Sequence, residues 1–361
     1  MAAKMDPRLQ SYLPALEVRP AELLALQELP AKDKDAMLPL FRLRPWTSAN
    51  KLSSALERIQ LAFGKRPHYL EMSGPEPVLP GKEREVHAEL SRLRDPAEGF
   101  RNWCDFFEVA GREHVIPVAQ LSDPFQYVSQ IQQLYKLGRG ILVRLDVSVE
   151  SIVNTIVQIT ADITDGGRGI LFVLDFGKRN QKFLDQTSDV ASLLLAAKAL
   201  APRGEIAMSA SSFPDGFTLI TEQAIYERKV FEAIKSKVPG LIYSDRGSAR
   251  AERQVGGGGA PAPRVDFARP NDWVFFRDST GGDRLAAYQR QAVSLMESES
   301  WDPRLKLWGC QMIEKTALAD ETGITSPNRS TAARINIHLH QQLYYGLGEA
   351  LYDTDEDWVD F

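Results

Sequence analysis

The chain has 361 residues, enough for one large domain with an appendage and too many for one small module. Apolar residues make up 43% and charged residues 25%, which excludes a disordered or collagen-like chain, and no eighteen-residue apolar run is present to span a membrane. With 43 basic against 48 acidic side chains, the net charge of −5 speaks against broad nucleic-acid binding.

The N-terminus, MAAKMDPRLQSYLP, has no apolar signal segment, and Cys104 and Cys310 are too few for a disulfide scaffold or a four-thiolate zinc site. A cytoplasmic location is the expectation. Strand-like and helix-like runs then alternate. Tyr12–Arg19 precedes the helical PAELLALQEL, Met37–Arg44 precedes KLSSALERIQLAF, and His68–Ser73 precedes a polar stretch to about Ala110 with at least one helix. Val115–Asp123 is followed by PFQYVSQIQQLYKL, Gly140–Val147 by VESIVNTIVQITADI, and Gly169–Gly177 by SDVASLLLAAKAL. Glu205–Ser212 leads to TEQAIYERKVFEAIKSK, and Gly240–Ser248 is the eighth strand. Short apolar runs bounded by Gly and Pro, separated by periodic helices, indicate parallel strands joined by crossovers.

Eight such units predict an α/β fold, a (β/α)8 TIM-like barrel with additional C-terminal helices. An open doubly wound sheet is the alternative, but it usually carries a Gly-rich turn after its first strand, and EVRPAE has no glycine. The expected organisation is barrel strands and most helices over 1–254 and a Gly/Pro-rich loop over 255–264. Residues 265–361 would hold the last barrel helix and a helical extension. GGDRLAAYQRQAVSLMES, capped by Asp283, is the candidate for that last helix. The glycine run is either a lid over the mouth or, preferably, a plain connector.

Alternation along each strand places polar groups at the strand ends, pointing into the barrel near its C-terminal mouth. They are Glu17 with Arg19, Arg42 with Arg44, Glu71 with Ser73, Gln120 with Ser122, Arg144 with Asp146, Asp175, Ser209 with Ser211, and Tyr243 with Asp245. Charges there form either a ligand site or an internal salt-bridge network that binds nothing. The first is preferred because structural barrel layers are mostly branched apolar residues. Glu71, Asp146 and Asp175 are the candidate catalytic residues; Glu17, Arg42, Arg144, Ser209, Ser211 and Asp245 are the candidate ligand-binding residues. The carboxylates could hold a divalent cation as cofactor, although no metal ligand set is assigned, and the arginines could clamp a carboxylate or phosphate.

No G-x-S-x-G, Walker or H-E-x-x-H motif is present. SASSFPDG, from Ser209, is either an anion cradle or a Ser-rich turn. None of the five histidines lies on an expected inward strand end. His338 and His340, two apart on a helix, make a poor metal pair and are expected as polar positions on a terminal helix. Both cysteines sit in apolar company as inert buried thiols.

The opening YLPALEVRPAELLALQEL and MLPLFRL, the late W-G-x-x-x-I from Trp308 to Ile313, the Ser326-Pro327 turn and ARINIHLHQQ resemble the beta-protein family, the beta protein of T-even bacteriophage and its bacterial and prophage relatives. The resemblance covers nearly the whole chain. Glu17-Val18-Arg19 departs from the lysine-rich step of the family, so no basic contact is carried over there. The resemblance implies a phage, prophage or antiviral defence-island setting and transfers no catalytic residue. Two functions compete. One is a barrel binding a small anionic, perhaps phosphorylated, ligand, as a metal-assisted hydrolase or lyase. The other is a non-catalytic module meeting a phage or host protein through the mouth and the aromatic C-terminal helices (Tyr344, Tyr345, Tyr352, Trp358). Membrane association is not expected, and nucleic-acid binding ranks last.

Overall fold

The computed structural model describes residues 12–75, 77–78, 80–217, 219–250, 261–277 and 282–354. Trp358 and most of the glycine run lie outside them. In chain order, β1 (Tyr12–Glu17) leads through α1 (Pro20–Gln27) and α2 (Ala31–Asp35) to β2 (Leu40–Leu43), and α3 (Ser53–Phe63) to β3 (His68–Met72). The polar stretch after β3 holds two helices, α4 (Glu85–Leu93) and α5 (Ala97–Glu108), before β4 (Val115–Pro117). Three regular units follow: α6 (Pro124–Tyr135) with β5 (Ile141–Asp146), α7 (Glu150–Ile163) with β6 (Ile170–Lys178), and α8 (Thr187–Leu200) with β7 (Glu205–Ser211). A short β8 (Glu222–Ala224) then precedes α9 (Tyr226–Ile234) and β9 (Ile242–Asp245).

Eight of these strands pair in parallel in the order β4-β3-β2-β1-β9-β7-β6-β5, and a parallel bridge between Val118 and Leu142 joins the two ends. The fold is therefore the expected TIM-like barrel. Its lower interior is an apolar plug in which Leu13, Leu40, Tyr69, Leu142, Val173 and Ile242 meet. The opposite strand faces, such as Leu16, Phe41, Phe172 and Tyr243, pack under the helices. Both faces being buried explains why these strands are nearly continuous apolar runs.

After β9 the chain adds β10 (Arg264–Ala268), β11 (Asp272–Arg277), α10 (Arg284–Met296), α11 (Trp308–Ala317) and α12 (Pro327–Leu343). β10, β11 and β8 form a small antiparallel sheet, so Glu222–Ala224 is a strand where a helix start is expected, and β10 is a strand where loop and extension meet. Asp283 caps α10 as expected, accepting the N–H of Leu285. α10, however, packs on α11 and the small sheet rather than in the barrel ring. The eighth helix of the ring is α12, which bridges α1 and α9. Asn336 donates to the Ala25 carbonyl at 2.9 Å, and Arg228 Nε donates to Gln342 Oε1 at 2.8 Å.

α12 looks polar in sequence yet is buried on nearly every side. A buried polar group needs a partner to avoid a loss, and most of those on α12 find one on the barrel or the small sheet. His338 Nε2 bonds Asp245 Oδ2 at 2.8 Å, and His340 Nδ1 bonds Asp33 Oδ2 at 2.6 Å. The two histidines do diverge to separate partners, as polar positions on this late helix, and both are completely buried. Tyr344 also reaches Asp33, at 3.1 Å, so that ring belongs to the packing of α12. Tyr345 bonds Asn271 and Tyr352 bonds Asp302. α11 lies so close to α12 that a Cβ on Gly309 would come within 2.4 Å of the Ala333 carbonyl. Gly309→Ala is expected to lower stability by about 1–3 kcal/mol, the range for overpacking, as read by urea unfolding; an unchanged midpoint would show that the helices separate freely. Among the described residues, no helix is long and apolar enough to cross a membrane.

Candidate functional site

The mouth is built from inward residues of β1, β2, β3, β5 and β6, with Arg44 and Arg246 just past β2 and β9. Above the apolar plug, β1 supplies Glu17 and β2 supplies Arg42, which pair in register, and Arg42 is in register with Glu71 on β3. Arg42 Nη1 donates to Glu17 Oε1 at 2.5 Å, and its Nε donates to Glu71 Oε2 at 2.8 Å. Arg44 reaches Glu17 Oε2 at 3.2 Å. From the other half, Arg144 Nε donates to Glu71 Oε1 at 2.6 Å and its Nη1 to Asp175 Oδ2 at 2.5 Å. Arg246, just past β9, donates to the same Asp175 oxygen at 2.6 Å. The result is one alternating chain, Arg44–Glu17–Arg42–Glu71–Arg144–Asp175–Arg246, running around the floor of the mouth.

Each carboxylate is held between two guanidiniums, and the guanidiniums outnumber the carboxylates by four to three. Burial alone pushes the Asp175 carboxyl up, but Arg246 and Arg144 outweigh it and hold it below the ordinary carboxylate value. Burial likewise opposes the charge on Arg144, and Glu71 and Asp175 more than restore it. Arg246 goes the other way: burial, with Arg144 and Arg42 facing it, presses it below the ordinary arginine value despite Asp175. The Arg42, Glu17 and Arg144 side chains keep 18, 19 and 21% of their surface accessible, whereas Arg246 and Asp175 lie deeper at 9 and 5%. Solvent thus reaches the upper links of the chain.

Among the candidates, Glu17, Arg42, Glu71, Arg144 and Asp175 are brought together. The other four, Asp146, Asp245, Ser211 and Ser209, are not in the network. Asp146 is exposed at the rim, where its carboxylate accepts the Ser148 N–H at 2.9 Å and holds a turn. Asp245 faces outward beneath α12, bonded to His338 and to the Tyr12 hydroxyl at 2.9 Å. Ser211 donates to the Ala249 carbonyl at 3.1 Å. Ser212 donates to Glu227, so its hydroxyl is committed to the turn within SASSFPDG. Ser209 does face inward, in register with Asp175 and Ser244.

The residue the sequence reading missed is Arg246, because β9 runs in the opposite phase to the one expected: Ile242 lies in the plug, and Ser244 and Arg246 continue its face. The signal was the apolar Ile242 two residues before a serine and four before an arginine. Both cysteines are buried and free, and burial pushes each thiol up to about 12. Among the described residues, no group of three or more His, Cys, Asp or Glu side chains is arranged to hold a metal ion. The geometry agrees, since the mouth carboxylates already accept from arginines.

A parallel eight-stranded barrel with an arginine–carboxylate chain across its C-terminal mouth is the class of protein this chain defines. The sequence profile described as Beta protein matches residues 12–344, and the chain belongs to that family. Protein beta of Enterobacteria phage P4 is 26% identical over 361 aligned residues, spanning 96% of this chain and 97% of that protein. The matched relative is thus from phage P4, where the sequence resemblance was framed on T-even phage. Among solved structures, the 3-dehydroquinate dehydratase from Aquifex aeolicus VF5 aligns with a TM-score of 0.36 at 15% identity, over 64% of this chain and 88% of that one. At that score it carries no weight for either fold or activity.

Proposed function

We propose that this beta-family protein is a ligand-binding barrel, related to a phage protein, whose mouth receives a small anion such as a carboxylate or phosphate. One observation carries the reading: Arg246 Nε and Nη1 are buried with no hydrogen-bond partner among the described residues, beside the equally unpartnered Ser209 and Ser244 hydroxyls. Buried donors without acceptors are costly, by about 1–3 kcal/mol each. An anion resting on them would satisfy them and offset the excess guanidinium. A hydrolase or lyase reading is weaker, because Glu71 and Asp175 are clasped by arginines and no histidine joins the network among the described residues. Asp146, exposed at the rim, is the carboxylate through which such chemistry would have to run.

Malonate titrated into the protein should raise its melting temperature and give a saturable calorimetric signal. Arg246→Gln should weaken that binding about tenfold or more, the loss expected for a charged hydrogen bond, while Asp175 keeps Arg144 and the fold survives. Binding that is absent from the wild type, or unchanged in Arg246→Gln, would refute the site.

A further inference from the structure

A cavity opens at the same end of the barrel, beside the mouth. It has a volume of about 580 Å³, within the range of small-molecule sites, and lies between the start of α1, the segments after β7 and β9, and the first turn of α12. Four arginines line it: Arg19, Arg250, Arg264 and Arg334. It shares no side chain with the mouth network.

Two of these arginines are braced from behind. Asp266 is fully buried, and its Oδ2 accepts from Arg334 Nη1 and, at 2.7 Å, from Arg264 Nε. Their guanidiniums lie over aromatic rings, Arg264 at 3.5 Å from the Phe217 centroid and Arg334 at 4.3 Å from that of Phe213. Such bracing fixes a donor in place before a ligand arrives. Arg19 is different. Its guanidinium makes no hydrogen bond or ion pair with any described residue, and no side chain caps α1, which begins immediately after it. Ala21 and Glu22, in the uncapped first turn at the positive end of the helix, line the same cavity. Among the described residues of the wall, Glu22 is the one carboxyl. Burial and the nearby Glu17 push it up to about 8, so it is neutral at pH 7 and does not repel an anion. Phe213, Phe217 and Tyr288 supply an apolar side to the same space.

A bare phosphate would occupy a small part of such a volume. We infer that this side cavity binds a phosphate ester, its phosphoryl group on Arg19, Arg264 and the α1 amides, and its organic body against Phe217 and Tyr288. The site is independent of the mouth and stands or falls separately from it.

Phenyl phosphate is the probe, with inorganic phosphate and phenol as its two halves, each measured by calorimetry on the full chain. Phenyl phosphate should bind more tightly than either half. Arg19→Gln should weaken it about tenfold or more, and Arg246→Gln should leave it unchanged. Ala21→Glu guards against misfolding as an explanation: a carboxylate in the first turn favours the helix, so the melting temperature should hold while phenyl phosphate binding is lost. The inference is overturned if phenyl phosphate does not bind, if Arg19→Gln and Ala21→Glu bind it normally, or if Arg246→Gln is the variant that loses it, which would put the phosphate in the mouth. It survives a failure of malonate to bind, since that concerns the mouth alone.

Discussion

Asp175→Ala is expected to cost about 3–5 kcal/mol of unfolding free energy, the loss typical when one partner of a buried ion pair is removed. Asp175 is 4% exposed, and a single oxygen of its carboxylate serves both Arg144 and Arg246. Its removal leaves two guanidiniums facing each other over the apolar plug. Against a typical domain stability of about 5–15 kcal/mol, that is enough to leave the chain marginal. Arg246→Gln should lose much less, because Asp175 keeps Arg144 and the Gly177 N–H at 2.9 Å. Urea unfolding of the two variants side by side decides the matter, and equal, small losses would mean that the network is loosely solvated. The same pair predicts acid sensitivity. The folded Asp175 value lies below its unfolded one, so its contribution is complete above the unfolded value and disappears as pH falls through the folded one.

Glu22→Gln should stabilise the protein, and increasingly so as pH rises from 5 to 8. The Glu22 carboxyl is buried in the first turn of α1, accepts the Glu17 N–H, and is raised from an ordinary 4.5 to about 8 by burial first and by the Glu17 charge second. Between those two values the unfolded chain has released the proton and the folded chain still holds it, so wild-type stability declines across that window. The decline is about 1.36 kcal/mol for each pH unit separating the two values, a few kcal/mol in all. Glutamine keeps the acceptor for Glu17 and has no proton to lose. Unfolding free energies at pH 5 and pH 8 should therefore diverge between the two proteins. If they run parallel, Glu22 is ionised in the folded state.

Barrel, strand order and five mouth residues were legible because each rests on a local pattern. Glu17, Arg42, Glu71, Arg144 and Asp175 all follow an apolar residue of the plug at a spacing of two, and alternation carries the phase forward. β9 broke the rule. In Leu-Ile-Tyr-Ser-Asp-Arg both faces are buried, so polarity does not mark the inside. Asp245 is outward because His338, more than ninety positions later, neutralises its burial. The same long-range pairing concealed not the helix α12 but its place in the barrel ring, since its run of Asn, His and Gln gives no amphipathic stripe that marks it as buried. β8 and β10 were missed for a related reason: each is a short strand recruited by β11 and has little intrinsic pattern of its own.

The position of α12 also has a consequence for how the chain comes off the ribosome. The helix that covers the seam between β1 and β9 arrives last, and its anchors lie at the other end of the chain: Asn336 closes on Ala25, and Tyr344 on Asp33, each across 311 residues. Until those residues emerge, the barrel lacks its α12 cover, and the Asp245 carboxylate lacks His338. Loops of that length close slowly, and half-built parallel sheets expose apolar surface while they wait. Synthesis should therefore pass through a long-lived, sticky, nearly complete barrel, and a chain stopped after α11 should be captured by chaperones rather than released as a folded protein.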